Sequence, residues 1–209
     1  MTSQRTRDRL VTRLHDEGIR NQDVLDAIRN TPRHLCVDEA LASRAYEDTA
    51  LPIGYNQTIS QPYIVAAMTE LLIANSPGKV LEVGTGSGYQ AAVLSGLVDK
   101  IYTVERIEPL LTLARQRFRQ LGLRNIRAAH SDGTVGWPDF APYDAIIVTA
   151  GSENIPDALL HQLAPNGRLI IPLGRRDRQR LTMITCRDDV FEQEELDPVT
   201  FVPLLKGQA

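Results

Sequence analysis

The sequence predicts an α/β fold, a three-layer α/β/α sandwich built on a doubly wound, mostly parallel sheet. From residue 79 onward, short apolar runs alternate with stretches of helical periodicity, the pattern of parallel strands joined by crossover helices. A glycine-rich loop follows the first of these runs, as in nucleotide-binding sheets. At 209 residues and 43% hydrophobic content, the chain has the size of one domain.

Residues 1–78 are predicted to form a helical cap. Apolar positions on one helical face precede Gly18, which can end that helix, and Asn21 can cap a second one. Beyond Pro62 the apolar positions again repeat at helical spacing. We therefore expect a single domain in two parts, the cap with a loop that approaches the site, and a Rossmann-like core over residues 79–209.

The core is expected to alternate strands and helices. Helices are predicted at 89–97, 109–121 and 156–163, the last two with proline in the first turn. The last two strands are expected to extend the sheet antiparallel, joined by a polar, acidic connection. The predicted strands are 79–83, 101–105, 126–130, 145–149, 168–172, 181–186 and 199–204.

Composition and charge exclude several classes of protein. A net charge of -3 and a pI near 5.8 provide no basic field for nucleic acid. The uncharged run 49–69 contains prolines, a glycine and amides that a membrane span would not tolerate together. Cys36 and Cys186 form no CxxC pair and the histidines are scattered singly, so we expect no metal site. Without a secretory signal pattern, we expect a cytoplasmic monomer that binds neither nucleic acid nor membranes.

The strongest local signal is a glycine loop that ends a strand and opens a helix. A dinucleotide fold reads G-x-G-x-x-G, whereas the sixth position here is Tyr89, which argues against a pyrophosphate ligand. Glu82 would repel a diphosphate but can help hold a cationic amino group, while the loop N–H groups face a carboxylate. A methionine moiety carries both charges. The glycine loop comprises Gly84, Thr85, Gly86, Ser87 and Gly88.

Two further strand ends extend the predicted ligand site. Glu105 ends the next strand about 20 residues after Gly84, where an acid accepts hydrogen bonds from ribose hydroxyls. Asp132-Gly133 follows the third strand and could accept from an adenine amino group, although an Asp-Gly turn without a ligand reads the same way. Because these strand ends share one sheet edge, the predicted ligand is a nucleoside with a methionine tail, S-adenosylmethionine.

The fold does not determine what receives the methyl group. The fourth strand end reads V-T-A-G at 148–151 and lacks the Asp/Asn-Pro-Pro-aromatic motif of enzymes that methylate nucleic-acid amino groups. Neither cysteine follows a strand end, as a base-attacking nucleophile would. The informative segment is L-P-I-G-Y-N-Q-T-I-S-Q-P-Y at 51–63, which on physical grounds alone reads as a loop entering a helix with Ser60 as its cap.

This segment resembles the A-L-P-I-G-x-x-Q-T-I-S-Q-P signature of the protein-L-isoaspartate O-methyltransferase family, a class I methyltransferase family. The resemblance continues through the glycine loop and ends with F-V-P-L at 201–204, so it spans nearly the whole chain. It implies that S-adenosylmethionine methylates the α-carboxylate of isoaspartyl residues in damaged polypeptides. The ester then cyclises to a succinimide whose hydrolysis restores some normal aspartate, and S-adenosyl-L-homocysteine is the product of the methyl donor.

The resemblance also assigns residues. Ser60 is implied as the active-site serine. The acceptor contacts are Ile53, Ser60, Thr149 and Ala150. Together with the pattern of strand ends, the predicted cofactor contacts are Gln57, Thr58, Ile59, Ser60, Glu82, Gly84, Thr85, Gly86, Gly88, Glu105, Arg106, Asp132 and Gly133.

The chain departs from the family pattern at a few positions. Cys36 stands where the family usually has an aromatic residue, residues 149–152 vary a T-A-A pattern, and Asn166 replaces a common glycine. Alternatives stay open at this point. The chain could be another class I methyltransferase with a small carboxylate acceptor, a nicotinamide oxidoreductase, or a cofactor-binding module without catalysis.

Overall fold

The elements below belong to a computed structural model that describes residues 4–187 and 190–209. Short 3-10 helices also occur at Arg33–Cys36, Glu39–Arg44 and Pro138–Phe140. In chain order the helices are α1 (Gln4–Asp16), α2 (Gln22–Asn30), α3 (Pro62–Ile73), α4 (Tyr89–Leu94), α5 (Glu108–Gln120) and α6 (Asp157–Leu160). The strands are β1 (Leu51–Gly54), β2 (Gln57–Ile59), β3 (Lys79–Val83), β4 (Lys100–Glu105), β5 (Ile126–His130), β6 (Tyr143–Val148), β7 (Leu163–Leu173), β8 (Gln179–Arg187) and β9 (Val190–Val199).

The central sheet has the spatial order β5-β4-β3-β6-β7-β8-β9. Strands β5, β4, β3, β6 and β7 run parallel, and β8 and β9 join antiparallel at one side. From β3 the chain continues to β4 and β5 on one side, and then returns to β6 on the other side of β3, so the strand order reverses between β3 and β6. The glycine loop after β3 therefore lies where open α/β sheets bind ligands. The predicted α/β class and antiparallel extension are confirmed.

Alternation along the strands sends apolar side chains to both faces of the sheet. On one face, Val80 and Ile147 pack in a core that includes residues of α3, α4 and α5. On the other, Leu81 and Ile146 pack in a core that includes α6. Because α6 is short, aromatic side chains complete that layer, and the rings of Tyr102 and Phe140 stack with centroids 4.5 Å apart. Both faces of the sheet are therefore covered.

Helices α1 and α2 of the cap pack on α3 and α4 in one apolar core. Asn21 caps α2 as predicted, because its Oδ1 accepts from the backbone N–H groups of Asp23 and Val24. Tyr89 and Val93 at the start of α4 belong to the same core as the buried side chains of α1 and α2. The division into a cap and a core stays a prediction, and this packing joins the two parts.

Residues 51–59 of the cap form a hairpin where the sequence was interpreted as a loop. Strands β1 and β2 pair antiparallel, and the connecting residues Tyr55 and Asn56 both have positive φ, 52° and 56°. Two central residues with positive φ are typical of a type I′ turn. The sequence did not predict this turn, because neither residue is glycine. The hairpin lies over the glycine loop, since Ile53 Cδ1 is 3.5 Å from where a Cβ on Gly86 would stand.

The last predicted strand, 199–204, is wrong. The strand is β9, Val190–Val199, which occupies most of the expected acidic connection, while residues 188 and 189 lie outside the described residues. β9 is an edge strand whose side chains are mostly exposed, and four of its ten residues are acidic. Its sequence therefore lacks the alternating apolar pattern by which a half-buried strand is recognised. Residues 200–205 instead run past the end of β6, where Gly151 N–H donates to the Val202 carbonyl at 2.8 Å.

Helices α4 and α6 both end three residues earlier than expected, and α6 also begins one residue later. α4 ends at Leu94, and α6 covers only Asp157–Leu160 because β7 already begins at Leu163. Asn166, which replaces a glycine of the family pattern, has a φ of 61°, a conformation that asparagine tolerates better than most residues. Among the described residues, no helix has the length and apolarity that crossing a bilayer requires.

Gly88 is a test of how α4 packs. Its φ is 83°, and a Cβ there would stand 2.8 Å from Phe118 Cε1 of α5. We expect Gly88→Ala to lower the free energy of unfolding by about 2 to 4 kcal/mol, because left-handed strain and overpacking add. Urea denaturation measures it. Gly96→Ala is the matched control, since nothing lies within 4 Å of its added Cβ. Equal losses in the two variants would contradict this explanation.

Candidate functional site

The carboxyl ends of β3, β4 and β6 are tied together by the glycine loop. Gly84 N–H donates to the Val104 carbonyl at 2.9 Å, and Thr149 N–H donates to the Val83 carbonyl at 2.9 Å. The Thr149 hydroxyl then donates to the Gly84 carbonyl at 2.7 Å. The end of β6 therefore lies directly against the loop.

This close approach explains the first glycine. A Cβ on Gly84 would stand 2.5 Å from Thr149 Oγ1, so a side chain there would displace the Thr149 hydroxyl from its hydrogen bond to the loop. Gly84, Gly86 and Gly88 all have positive φ, which L side chains rarely adopt. The loop is thus set by backbone conformation and by packing, before any ligand is considered.

Three cavities meet beside Thr58 and Thr149, and two of them border the glycine loop. The main cleft has about 600 Å³ of empty space, part of it open to solvent. The inner chamber lies between β2 and the start of α4, and the outer groove lies between the cap and residues 198–202. The main cleft is lined by Gln57, Glu105, Arg106, Gly133, Ala150 and Leu205, among others. The inner chamber is lined by Ile59, Thr85, Ser87, Tyr89 and Gln90, among others, and the outer groove by Asp48, Gln61, Arg178 and Phe201, among others.

Thr58 and Thr149 line all three cavities. Gly84 and Gly86 are shared by the main cleft and the inner chamber, and Ser60 by the inner chamber and the outer groove. The Ser60 hydroxyl makes no hydrogen bond with any residue in the described part of the chain. A donor in the first two cavities and an acceptor in the third would therefore meet beside Thr58, Ser60 and Thr149.

Glu105 braces the glycine loop and faces the main cleft. One carboxylate oxygen accepts from Gly86 N–H at 2.8 Å and the other from Ile107 N–H at 3.0 Å. Each oxygen keeps a lone pair that can accept from a hydroxyl group. This placement is the one that ribose recognition requires, and that role stays a prediction.

Glu82 lies behind the loop instead of in a cavity wall. Its side chain is 0% exposed, Thr103 donates a hydrogen bond to one carboxylate oxygen, and the other oxygen has no partner among the described residues. Burial, with a smaller contribution from Glu105, raises the pKa of Glu82 to about 8. The predicted direct contact of this side chain with an ammonium group does not match its placement, because Glu82 is buried and lines none of the three cavities. The sequence shows the position of Glu82 in the strand but not the direction in which its side chain points.

Both carboxylate oxygens of Asp132 accept hydrogen bonds from other residues of the chain. One oxygen accepts from Gly207 N–H at 2.6 Å, and the other accepts from Thr134 N–H and its hydroxyl at 2.8 and 2.7 Å. Burial opposes ionisation, but these hydrogen bonds outweigh it and lower the pKa of Asp132 below its usual value. An adenine amino group at this carboxylate would share it with Gly207 and Thr134, since the oxygen that accepts from Gly207 keeps one lone pair. Its neighbour Gly133 does line the main cleft, as predicted.

Of the other predicted residues, two do not line a cavity. Gly88, the last residue of the loop, lies against Phe118 of α5, and Ile53 packs over Gly86, so both shape the loop without lining any of the three cavities. Ala150, predicted to contact the acceptor, lines the main cleft and not the outer groove. The remaining predicted residues do converge on the cavities: Gln57, Thr58, Ile59, Ser60, Gly84, Thr85, Gly86, Glu105, Arg106, Gly133 and Thr149.

Sequence reasoning missed the segment 205–209 and the residue Asp48. The backbone of Ala209 bonds to Arg106 and Glu108, and Leu205 lines the main cleft. This segment has no local pattern of its own. Asp48 accepts from Gln61 Nε2 and from Tyr63 N–H, so it caps α3 just after Ser60. Among the described residues, no three histidine, cysteine or acidic side chains lie together as a metal site would need.

The buried carboxyl of Glu82 generates a pH prediction. Its pKa is about 8 in the fold against an ordinary value of 4.5, so between these values the folded chain holds a proton that the unfolded chain releases. Its contribution to stability is therefore fully present below pH 4.5 and is lost as the pH rises towards 8. Glu82→Gln should remove this loss, and its advantage over the wild type in urea denaturation should grow by up to about 1.4 kcal/mol per pH unit. Glu194→Gln, on the exposed β9, is the control; a constant difference between Glu82→Gln and wild type across pH 5–8 would contradict the buried, protonated carboxyl.

The comparisons with known proteins agree over nearly the full length. The family model described as Protein-L-isoaspartate(D-aspartate) O-methyltransferase (PCMT) matches residues 5–209. A protein-L-isoaspartate O-methyltransferase of Pseudomonas fluorescens is 60% identical over 208 residues, which is 99% of both chains. That of Xanthomonas axonopodis pv. citri is 59% identical over 99% of this chain and 92% of its own.

Solved structures agree as well. A protein-L-isoaspartate O-methyltransferase structure aligns with a TM-score of 0.87 and 28% identity, over 94% of this chain and 65% of that one. A Plasmodium falciparum structure, described as a protein of the same kind in complex with S-adenosyl-L-homocysteine, aligns with a TM-score of 0.84 and 27% identity, over 94% and 97% of the two chains. By sequence over residues 5–209 and by fold, this chain belongs to the protein-L-isoaspartate O-methyltransferase family of class I methyltransferases.

Proposed function

We propose that this chain transfers a methyl group from S-adenosylmethionine to the α-carboxylate of L-isoaspartyl residues in damaged polypeptides, and so starts their repair. The observation that carries this proposal is the junction at Thr58, Ser60 and Thr149, where the two cavities beside the glycine loop meet an open groove. The relatives that share this architecture carry the name of this activity.

The residues present fit S-adenosylmethionine. The main cleft combines the Glu105 carboxylate, which can accept from ribose hydroxyls, with apolar side chains such as Ile107 and Leu205, which suit an adenine ring. The inner chamber adds the loop residues Thr85 and Ser87 beside Ser60, where the amino-acid end would be held. When bound, the cofactor supplies an electrophilic methyl on a sulfonium.

The chain's own contribution is positioning. A carboxylate is already ionised at pH 7, so no general base is required. Holding the reacting groups in line can supply about 7 to 11 kcal/mol. The Ser60 hydroxyl, which has no partner within the described residues, can donate to one acceptor oxygen and leave the other free to attack. The Thr149 hydroxyl already donates a hydrogen bond to the Gly84 carbonyl, so it shapes the junction and does not compete with Ser60 for the acceptor carboxylate.

The repair step follows from the ester. Attack of the next backbone amide nitrogen on the ester carbonyl forms the succinimide and releases methanol, and water then opens the ring. A methoxide is a better leaving group than an oxide, which is why esterification precedes cyclisation.

The outer groove favours a polypeptide over a small carboxylate acceptor. It has about 1250 Å³ of empty space, part of it open to solvent, and runs between Asp48 and Thr49 of the cap and residues 198–202. An open groove accepts a segment that continues in both directions, whereas a small acid would be enclosed. We retain a class I methyltransferase for another small carboxylate as the second candidate.

We further propose a cytoplasmic monomer that acts on polypeptides and not on nucleic acid or membranes. Cys36 and Cys186 are free and buried, which is common for proteins of reducing compartments. The net charge of -3 supports the exclusion of nucleic acid.

The deciding assay uses S-adenosylmethionine labelled in its methyl group. We expect base-labile label on a peptide with one isoaspartyl residue and none on its normal aspartyl twin. A set of small carboxylic acids is assayed in parallel. Label on a small acid and not on the peptide would favour the second candidate, and label on neither would contradict both.

Ser60→Ala tests the acceptor contact. Loss of a hydrogen bond to a charged oxygen, about 1.5 to 3 kcal/mol, should lower kcat/KM for the isoaspartyl peptide about ten- to a hundredfold. Ser95→Ala is the control, because the Ser95 hydroxyl donates within its own helix to the Ala92 carbonyl and the residue lines none of the three cavities. Unchanged kinetics in Ser60→Ala would remove this serine from the mechanism.

Leu205→Ala tests whether the segment 205–209 forms a wall of the nucleoside site. Removal of a half-buried side chain costs about 1 kcal/mol of apolar contact, so the Kd for S-adenosylhomocysteine should rise about fivefold in calorimetry. Leu113→Ala, on α5 with a similar exposure, is the control. The same Kd in Leu205→Ala and wild type would place the adenine elsewhere.

A further inference from the structure

Arg33 is a fully buried cation in the 3-10 helix that follows α2. Its side chain is 0% exposed. Nε donates to the Ala45 carbonyl at 2.8 Å and Nη2 to the Thr49 carbonyl at 3.3 Å, while Nη1 has no hydrogen-bond partner among the described residues. Burial of this kind is costly for a charge, and arginine stays protonated. A structural arginine would be expected to have a carboxylate beside it.

No such carboxylate is present in the described residues, where no ion pair includes Arg33. The acidic group that acts on it is Asp48, and both Asp48 oxygens already accept from Gln61 and Tyr63. Burial raises the pKa of Cys36 to about 11 and that of Tyr89 above its usual range, so neither carries a negative charge at pH 7. Asp48 keeps its negative charge and acts on Arg33 without touching it, and it lies on the outer groove, whereas Arg33 lies against the inner chamber through Tyr89.

The charge lies directly behind the inner chamber. The Arg33 Cζ atom is 5.0 Å from the centre of the Tyr89 ring, and Tyr89 lines the inner chamber. A second guanidinium, Arg117 of α5, donates to the carbonyl of Ser87 in the glycine loop at 3.0 Å and is also outside every ion pair of the described residues. The wall of the chamber thus has cations behind it, and a buried charge with no counter-ion in contact acts over this range.

We propose that Arg33 is a positioning residue that gives the inner chamber a positive potential and thereby draws the α-carboxylate of the cofactor's amino-acid end into it. The proposal rests on the proposed function, in that S-adenosylmethionine is the cofactor. Arg33 touches neither cofactor nor acceptor; it acts through Tyr89 and through its field. The same guanidinium holds the carbonyls of Ala45 and Thr49, which flank Asp48, so it also fixes the segment that leads to Ser60.

A charge effect and a packing effect make different predictions for two ligands of one shape. S-adenosylhomocysteine carries the carboxylate, and its primary carboxamide has the same size without the negative charge. A change that only loosens the chamber weakens both ligands equally. Loss of the Arg33 charge weakens the carboxylate alone, and the ratio of the two Kd values isolates that interaction as a double-mutant cycle does.

The experiment measures both Kd values by calorimetry in wild type, Arg33→Met and Arg33→Lys. We expect wild type to prefer the carboxylate about tenfold, Arg33→Met to lose most of that preference, and Arg33→Lys to retain it. Arg119→Met, at an exposed position of α5, removes the same net charge and should change nothing. Thermal melts show which variants are folded. Arg33→Gln, which can still donate to a carbonyl, replaces Arg33→Met if the latter does not fold.

Two results would overturn the proposal. One is a wild type that binds carboxylate and carboxamide within twofold of each other, which requires no variant at all. The other is a parallel loss for both ligands in Arg33→Met or Arg33→Gln, which would make Arg33 a packing residue only. Failure of the proposed function is separate, because it appears as a wild type that binds neither ligand at millimolar concentration.

Discussion

The contact between Thr149 and Gly84 is the constraint on which the site depends. It brings the end of β6 against the loop after β3, where a side chain at position 84 would both meet the Thr149 hydroxyl and need a φ of 98°. Because the same threonine also lines all three cavities, the wall that shapes the donor side is the wall that shapes the acceptor side. Specificity for a donor and for an acceptor is therefore built on one backbone arrangement.

The cap supplies what the sheet does not. The hairpin β1–β2 covers the glycine loop through Ile53, and Asp48 fixes the start of α3 next to Ser60. Buried Arg33 holds the segment before the hairpin and stacks on Tyr89 at the start of α4. These contacts join the cap to the loop, so that the acceptor side and the donor side are positioned by shared residues instead of by two independent parts.

Sequence reasoning succeeded where a pattern has a direct physical cause. Strand β3 and the glycine loop were predictable because an apolar run, positive-φ glycines and a helix start occur together, and Asn21 was recognisable as a cap. The β1–β2 hairpin was not, because its turn uses Tyr55 and Asn56 where glycine is usual. β9 was missed because an acidic edge strand has no buried face.

Side-chain direction was the main limit within the site. Glu82 and Glu105 both lie near the ends of neighbouring strands, yet one is buried behind the loop and the other faces the main cleft. Asp132 does lie at the sheet edge, but its carboxylate accepts a hydrogen bond from the backbone of Gly207, which is 75 residues away in the chain. A local sequence pattern cannot show such long-range partners. For the same reason it did not show that Arg33 is buried without an ion-pair partner among the described residues.

A structure of the chain with S-adenosylhomocysteine bound tests the central claim most directly. The account predicts the nucleoside in the main cleft beside Glu105, the amino-acid end in the inner chamber, and the sulfur facing the junction of Thr58, Ser60 and Thr149. A sulfur atom turned away from that junction, or an amino-acid end in the outer groove, would contradict the division of the site into donor and acceptor cavities.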